Sequence, residues 1–221
     1  MAIKAVLFDL DGTLVDSARD LAETLNDVLA EEGLPALTLE AVKGMIGDGG
    51  SKLIERGLAA TGGDPGRAPA FLPRFLALYE PRAARHTRLY PDAAEALARL
   101  AESGLRLGLV TNKPQDATLN ILDALDLARF FGAVVGGDTL PERKPHPAPL
   151  LHAAARLGVA PDETVMVGDN HHDVDAARAA GMAAVAVTWG YPHRPPEELG
   201  ADRTVAAFRD LPAVLAALAK T

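Results

Sequence analysis

Val6-Leu7-Phe8-Asp9-Leu10-Asp11-Gly12-Thr13-Leu14-Val15-Asp16-Ser17 is the stretch on which the reading of this 221-residue chain turns. A short strand, Ala5–Phe8, runs directly into two carboxylates spaced i, i+2. It is apolar throughout rather than alternating, as a strand covered on both faces must be. At a strand end that spacing aims both carboxylates into one crevice. Like charges so close are costly unless a cation or a proton separates them. A magnesium ion would hold Asp9 ionised for attack on phosphorus, while Asp11 exchanges a proton with the leaving oxygen. Gly12 lets backbone approach an anion closely, and Thr13 adds a hydroxyl. A turn whose acidic residues cap the next helix is the alternative. A calcium loop fits worse, because Gly12 comes two places early and the twelfth position is Asp20, not Glu.

Outward from this stretch, four more apolar runs read as strands: Leu105–Val110, Ala133–Gly136, Thr164–Val167 and Ala184–Val187. Amphipathic helices lie between them. Pro91-Asp92 opens one that stops at Gly104, and Leu150, Leu151, Ala154 and Leu157 form the face of another that stops at Gly158. This alternation predicts a Rossmann-like, doubly wound parallel sheet in the α/β class, with ligands beyond the carboxyl ends of the strands. From about Val15 to Arg85 the pattern is instead wholly helical. Segments end at Gly33, near Gly47 and at about Ala60, and a weaker one from Phe71 to Ala84 contains Pro73. The block is too large for a loop, so residues 15–85 are expected to form a small helical cap. The catalytic core is then 1–14 with 86–221.

Three further strand ends carry chemistry. Thr111 and Asn112, in Thr111-Asn112-Lys113-Pro114, offer a hydroxyl and backbone N–H groups to phosphate oxygens. An ordinary helix cap is the competing reading. Lys144 lies between Arg143 and Pro145 in a segment stiffened by two prolines, and a fixed ammonium there suits charge developing on a transferring phosphoryl group. Its rival is a solvated surface lysine, and His146 nearby reads as structural or supporting. Asp169, after Val165-Met166-Val167-Gly168, can complete an oxygen-ligated magnesium site with Asp9 and a backbone carbonyl. Asp173, one turn later, can orient Lys144 or a metal-bound water. His171-His172 raises a zinc reading, but neighbours on a helix point about 100° apart and are not expected to converge. Trp189-Gly190-Tyr191 either lines the site or packs.

Composition narrows the partners. Hydrophobic residues are 48% and charged residues 24%, which suits one α/β domain with an insertion. The absence of cysteine excludes a disulfide scaffold, a thiolate nucleophile and Cys-ligated metal, and suits a cytoplasmic location. The N-terminus lacks an extended apolar run of the signal-peptide kind, and no apolar run approaches the ~20 residues of a membrane span. A net charge of −8 without a basic tract argues against nucleic-acid and anionic-membrane partners. A small anionic substrate therefore needs a local positive site made of metal, lysine or backbone N–H. The oligomeric state is not set by any of these features.

Taken together, the four strand ends resemble the phosphatases of the haloacid dehalogenase superfamily across essentially the whole chain. That resemblance implies Asp9 as nucleophile, Asp11 as acid and base, and Thr111 and Lys144 as phosphate-binding groups. It implies Mg²⁺ held by Asp9, the Asp11 carbonyl and Asp169. The superfamily's dehalogenases lack the second aspartate, so Asp11 implies phosphoryl chemistry. Ile46-Gly47-Asp48-Gly49-Gly50, Gly136-Gly137-Asp138-Thr139 and Lys144-Pro145-His146-Pro147 are most similar to the phosphoglycolate phosphatase branch. Asn170 departs from it, where many relatives carry Ser or Thr. A substrate such as 2-phosphoglycolate needs its carboxylate read by the cap, for which Lys43, Arg56 and the turn containing Gly47 and Gly49 are the candidates. The core motifs do not separate this substrate from a sugar phosphate, nucleotide or pyrophosphate, nor from the chemistry of a β-phosphoglucomutase. A non-catalytic module of the same fold would be expected to have lost Asp9, Asp169 or Lys144.

Overall fold

The computed structural model describes residues 2–218. Among these, eight strands run in chain order: β1 (Ala5–Phe8), β2 (Val15–Asp16), β3 (Arg88–Leu89), β4 (Arg106–Val110), β5 (Phe131–Val135), β6 (Thr164–Gly168), β7 (Ala183–Val187) and β8 (Arg203–Val205). Six of them form one parallel sheet in the order β5-β4-β1-β6-β7-β8. Val6 and Phe8 face one side of β1, Ala5 and Leu7 the other, and all four are fully buried. A strand sealed on both faces has no polar side to show, which is why its sequence does not alternate. The strand order is that of a doubly wound sheet, with the chain switching sides of β1 after β5.

Among the described residues, nine α-helices accompany the strands: α1 (Ala18–Glu31), α2 (Leu39–Lys43), α3 (Gly50–Thr61), α4 (Ala68–Tyr79), α5 (Ala93–Glu102), α6 (Gln115–Ala124), α7 (Ala148–Leu157), α8 (His171–Ala179) and α9 (Leu211–Leu218). Helices α7 and α8 cover one face of the sheet, and α5 packs on the other. Helices α1 to α4 pack on one another instead. Leu25 of α1 sits so close to Gly57 of α3 that a Cβ there would stand 2.9 Å from a Leu25 methyl. No helix among the described residues is long and apolar enough to cross a membrane.

Three elements escaped the sequence reading. β8 is only three residues long and carries two exposed residues, so it lacks the apolar run that marked the others. β2 and β3 are two residues each and pair antiparallel, Val15 with Leu89 and Asp16 with Arg88. This ribbon joins the start and finish of the helical segment, beside the boundaries expected at residues 15 and 85. The segment expected from Phe71 begins earlier, at Ala68, and Pro73 lies within it.

Asp20 ties the same two crossings together. Its buried carboxylate accepts the backbone N–H of His86 (3.0 and 2.9 Å), the N–H of Thr87 (2.8 Å) and the Thr87 hydroxyl (2.8 Å). Removing it leaves the two backbone N–H donors unpaired, each costing about 1–3 kcal/mol, while the Thr87 hydroxyl keeps Ala83 O at 2.8 Å. Asp20→Ala should therefore lower Tm by roughly 4–24 °C in a thermal melt, from about 2–6 kcal/mol at ~2–4 °C per kcal/mol for a chain this size. A fall under about 2 °C would show that the ribbon closes without it.

Candidate active site

The carboxyl ends of β1, β4 and β6 and the loop after β5 open on one crevice, and helices α1, α3 and α4 wall its far side. Its wider arm spans about 500 Å³, open mouth included, with Leu21, Ile46, Leu53, Phe75 and Tyr79 facing the polar groups. A narrower, polar arm of about 250 Å³ holds Lys144, Asp169, Asp173 and Tyr191. Asp9 and Asp11 border both.

Asp9 continues the register of β1, its N–H donating to Val167 of β6 at 3.0 Å. Its side chain therefore emerges where the strand order reverses. The ammonium of Lys144 donates to Val110 O (2.7 Å) and to Asp173 Oδ1 (2.6 Å), and stands 2.9 Å from Asp9 Oδ1. Asp9 Oδ1 thus gains a neighbouring charge but no aligned hydrogen bond among the described residues. Burial pushes the Asp9 carboxyl up to about 6, with Lys144 pulling it down and Asp173 pushing it further up. Burial would lower the ammonium of Lys144, but Asp173 and Asp9 outweigh it and hold it above the usual lysine value.

Asp169 is fixed on every side. Its Oδ1 accepts the Thr13 hydroxyl (3.0 Å) and its Oδ2 the N–H of Tyr191 (2.7 Å). Gly12, at φ +83°, and Gly190 press against it, and a Cβ on either would come within 2.4 Å of its Oδ2. The anion that Gly12 approaches is therefore this carboxylate, and the Thr13 hydroxyl serves it too. Burial, followed by the charges of Asp9 and Asp173, raises the Asp169 carboxyl well above the ordinary aspartate value.

Carboxylate oxygens of Asp9, Asp169 and Asp173 lie within 4.8 Å of one another. Asp173 is fully engaged, through Lys144 on Oδ1 and the Asn170 N–H on Oδ2 (3.1 Å), the latter closing a capping box on α8. Asp9 and Asp169 are the pair left with unbalanced charge, and Asp9 Oδ1 is the orphaned buried atom. A hard divalent cation suits such a donor set. The Asp11 carboxylate is turned away from it, accepting from the Ser17 hydroxyl and the Lys113 ammonium, the latter at 2.8 Å to both oxygens. Only the backbone carbonyl of Asp11 is then free of side-chain business for a cation.

The second strand end is rearranged relative to expectation. Thr111 lines the wide arm. The Asn112 amide is already committed, donating to Gly47 O and Lys144 O at 3.0 Å each. It joins the helical segment to the Lys144 loop. Lys113, buried like its neighbours, was not singled out from the sequence, because its partner Asp11 lies 102 residues away. A lysine beside Thr111 at a strand end was the one signal available.

Lys43 and Arg56 do not reach the crevice. Lys43 pairs with Glu40 (2.9 Å), and Arg56 with Asp48 (2.6 Å) and Met45 O (2.8 Å). Gly47 and Gly49 do line it. Among the described residues on its walls, the lysines are Lys113 and Lys144, both from the sheet portion. The histidines also depart from expectation. His171 and His172 lie face to face with ring centroids 3.8 Å apart, and His193 stands 5.7 and 5.9 Å away. At the first turn of α8, Asn170 holds His171 Nδ1 (2.7 Å) while His172 turns to Asp48 (2.5 Å). Their planes are tilted by 39°, and one ring nitrogen from each of His171, His172 and His193 lies within 4.8 Å of the others, so the rings converge where helical periodicity would splay them. His193 Nε2–H donates to Ile46 O (2.7 Å), so these rings fasten the turn at Ile46–Asp48 over the crevice. Tyr191 lines the polar arm, whereas Trp189 packs on Phe208 and donates to Thr13 O (3.0 Å). His146 accepts the N–H of Ala148 (3.2 Å), a local turn contact.

Comparison with known proteins agrees with this geometry. The family model for haloacid dehalogenase-like hydrolases matches residues 6–187. The phosphoglycolate phosphatase of Rhodospirillum rubrum is 45% identical over 213 residues, 94% of this chain and 87% of its own length. A crystal structure of a predicted phosphoglycolate phosphatase from Haemophilus somnus superposes with a TM-score of 0.90 at 34% identity, covering 96% of this chain and 97% of that one. That of CbbY from Rhodobacter sphaeroides in complex with phosphate gives 0.79 at 26%, covering 95% and 96%. The chain belongs to the haloacid dehalogenase-like hydrolase family.

Proposed function

We propose that the substrate of this phosphatase is 2-phosphoglycolate, released as glycolate and phosphate through a phosphorylated Asp9 with Mg²⁺ as the divalent ion. The observation that carries the reading is the burial of Asp9 against a fixed ammonium, with Asp169 beside it unbalanced in charge. Relatives named for this activity and matched along nearly the whole chain support the choice of ester.

Asp9 attacks phosphorus, the bond from phosphorus to the ester oxygen breaks, and Asp11 delivers a proton to the departing oxygen. Asp11 then takes a proton from the water that attacks the acyl phosphate, and phosphate leaves with Asp9 restored. Lys144 and Thr111 hold the phosphoryl oxygens, while Asp173 keeps Lys144 in place. Phosphatases of this family generally use a divalent metal, and Mg²⁺ held by Asp9, Asp169 and the Asp11 carbonyl would offset phosphoryl charge. The segment 15–85 serves as the cap, keeping bulk water from the reacting groups with its turn fastened by His172, His193 and Asn112.

Phosphate release should be measured from 2-phosphoglycolate beside sugar phosphates, nucleotides and pyrophosphate, with Mg²⁺ and with EDTA. We expect 2-phosphoglycolate to lead by about tenfold or more in kcat/KM, and Asp9→Asn or EDTA to abolish turnover. Turnover surviving without Asp9 would contradict the mechanism, and another leading ester would contradict the substrate.

The raised carboxyls also predict how the metal-free protein responds to pH. A folded-state pKa above the unfolded value gives stability that is full below about pH 3.8 and lost as pH rises through about 6 for Asp9, and Asp169, also raised, loses it in the same direction. Asp169→Asn should therefore have the higher Tm in EDTA near pH 7.5, an advantage that vanishes near pH 4.5. Saturating Mg²⁺ should reverse the order near pH 7.5, since only the wild type keeps both carboxylates. A Tm difference unaffected by pH and by Mg²⁺ would contradict the charge assignment.

A further inference from the structure

Lys113 stands out as a buried cation that the hydrolytic steps do not use. It is 5% exposed, lines the wide arm of the crevice, and lies with its Nζ 4.8 Å above the ring of Tyr79. An ammonium has three donors, and the two oxygens of Asp11 occupy at most two of them. Beside it, the Tyr79 hydroxyl is 1% exposed and has no hydrogen-bond partner among the described residues. Buried hydroxyls are normally paired, so an unpaired one lining a ligand crevice marks a place where a ligand atom belongs. Burial alone would lower the Lys113 ammonium, but Asp11 and Tyr79 outweigh it and hold it above the ordinary lysine value. The remaining walls nearby are apolar: Leu21, Leu53, Phe75 and Leu76.

We propose that Lys113 and the Tyr79 hydroxyl together bind an anionic group on the leaving alcohol, and so set the enzyme's preference for phosphomonoesters of short hydroxy acids. This inference rests on the phosphatase reading above and assigns its specificity to the sheet portion plus the end of α4, not to cations of the cap. Distance supports a short acid. Asp11 must reach the ester oxygen to protonate it, and Lys113 sits within 2.8 Å of both Asp11 oxygens. A carboxylate one methylene beyond that ester oxygen stands about 3–4 Å from it by ordinary bond lengths, which brings it beside Lys113. The apolar walls offer a neutral polyol nothing in return for its hydration, so the pocket also discriminates against sugars.

The test compares kcat/KM for 2-phosphoglycolate with that for 2-hydroxyethyl phosphate, its uncharged analogue, in wild type, Lys113→Met, Lys113→Arg and Tyr79→Phe. Wild type should favour the acid by about 30-fold or more, in line with a charged hydrogen bond. Lys113→Met should bring that ratio close to one, Lys113→Arg should keep most of it, and Tyr79→Phe should lower it about three- to tenfold. The ratio matters because Lys113 also touches Asp11. If both esters fall in parallel in Lys113→Met and the ratio stays, Lys113 merely positions Asp11 and the inference is overturned. A wild type that prefers the neutral ester, with turnover still dependent on Asp9 and metal, overturns the inference while the phosphatase reading stands. No turnover of any phosphomonoester by wild type removes both.

Discussion

Three aspartates that repel one another share the most buried corner of the sheet's carboxyl edge, and the rest of the site is arranged around that repulsion. Asp9, Asp169 and Asp173 come together because β1 and β6 are neighbours at the point where the strand order reverses. Lys144 answers one of these charges and part of a second. Helix α8 answers more through its capping box, since Asp173 accepts the first free N–H of the turn. What remains unbalanced falls on Asp9 and Asp169. Asp9 is thus a buried carboxylate beside a fixed ammonium, a setting that suits the nucleophile proposed above.

The helical segment depends on the same corner from above. Its turn at Ile46–Asp48 is fastened by three contacts from the sheet portion: Asn112 to Gly47, His172 to Asp48 and His193 to Ile46. Asn112 also donates to the carbonyl of Lys144, so the position of the turn and that of the Lys144 backbone are linked through one side chain. Below, the ribbon of β2 and β3 and the carboxylate of Asp20 hold the two chain crossings. The segment is thus tied to the sheet portion both at its two chain crossings and at its Ile46–Asp48 turn.

Much of this was legible in the sequence, for physical reasons that differ by residue. Asp9, Thr111 and Asp169 were visible because each directly follows an apolar strand, and parallel strands deliver their carboxyl ends to one edge, while Lys144 was visible as a lone lysine between prolines in the loop after β5. The fold class followed from the same runs. β8 and the short ribbon were hidden because two or three residues carry no period to read. Lys113 was hidden because its meaning lies in a pairing with Asp11 across half the chain. Gly12 and Asn112 were visible as site residues, yet their contacts are with Asp169 and with the Gly47 turn, a matter of packing that spacing does not encode. The stacked histidines show the limit of helical periodicity at a first turn, where the cap residue decides how rings point.

The most direct test of this account is to catch the phosphoryl group on the protein. Wild-type enzyme mixed with 2-phosphoglycolate and Mg²⁺ would be quenched in acid during turnover, digested, and mapped by mass spectrometry, with Asp9→Asn as the blank. The account predicts one phosphoryl group on the peptide containing Asp9, absent from the blank and lost on treatment with hydroxylamine. Steady release of phosphate with no adduct, or an adduct on any other residue, would contradict it.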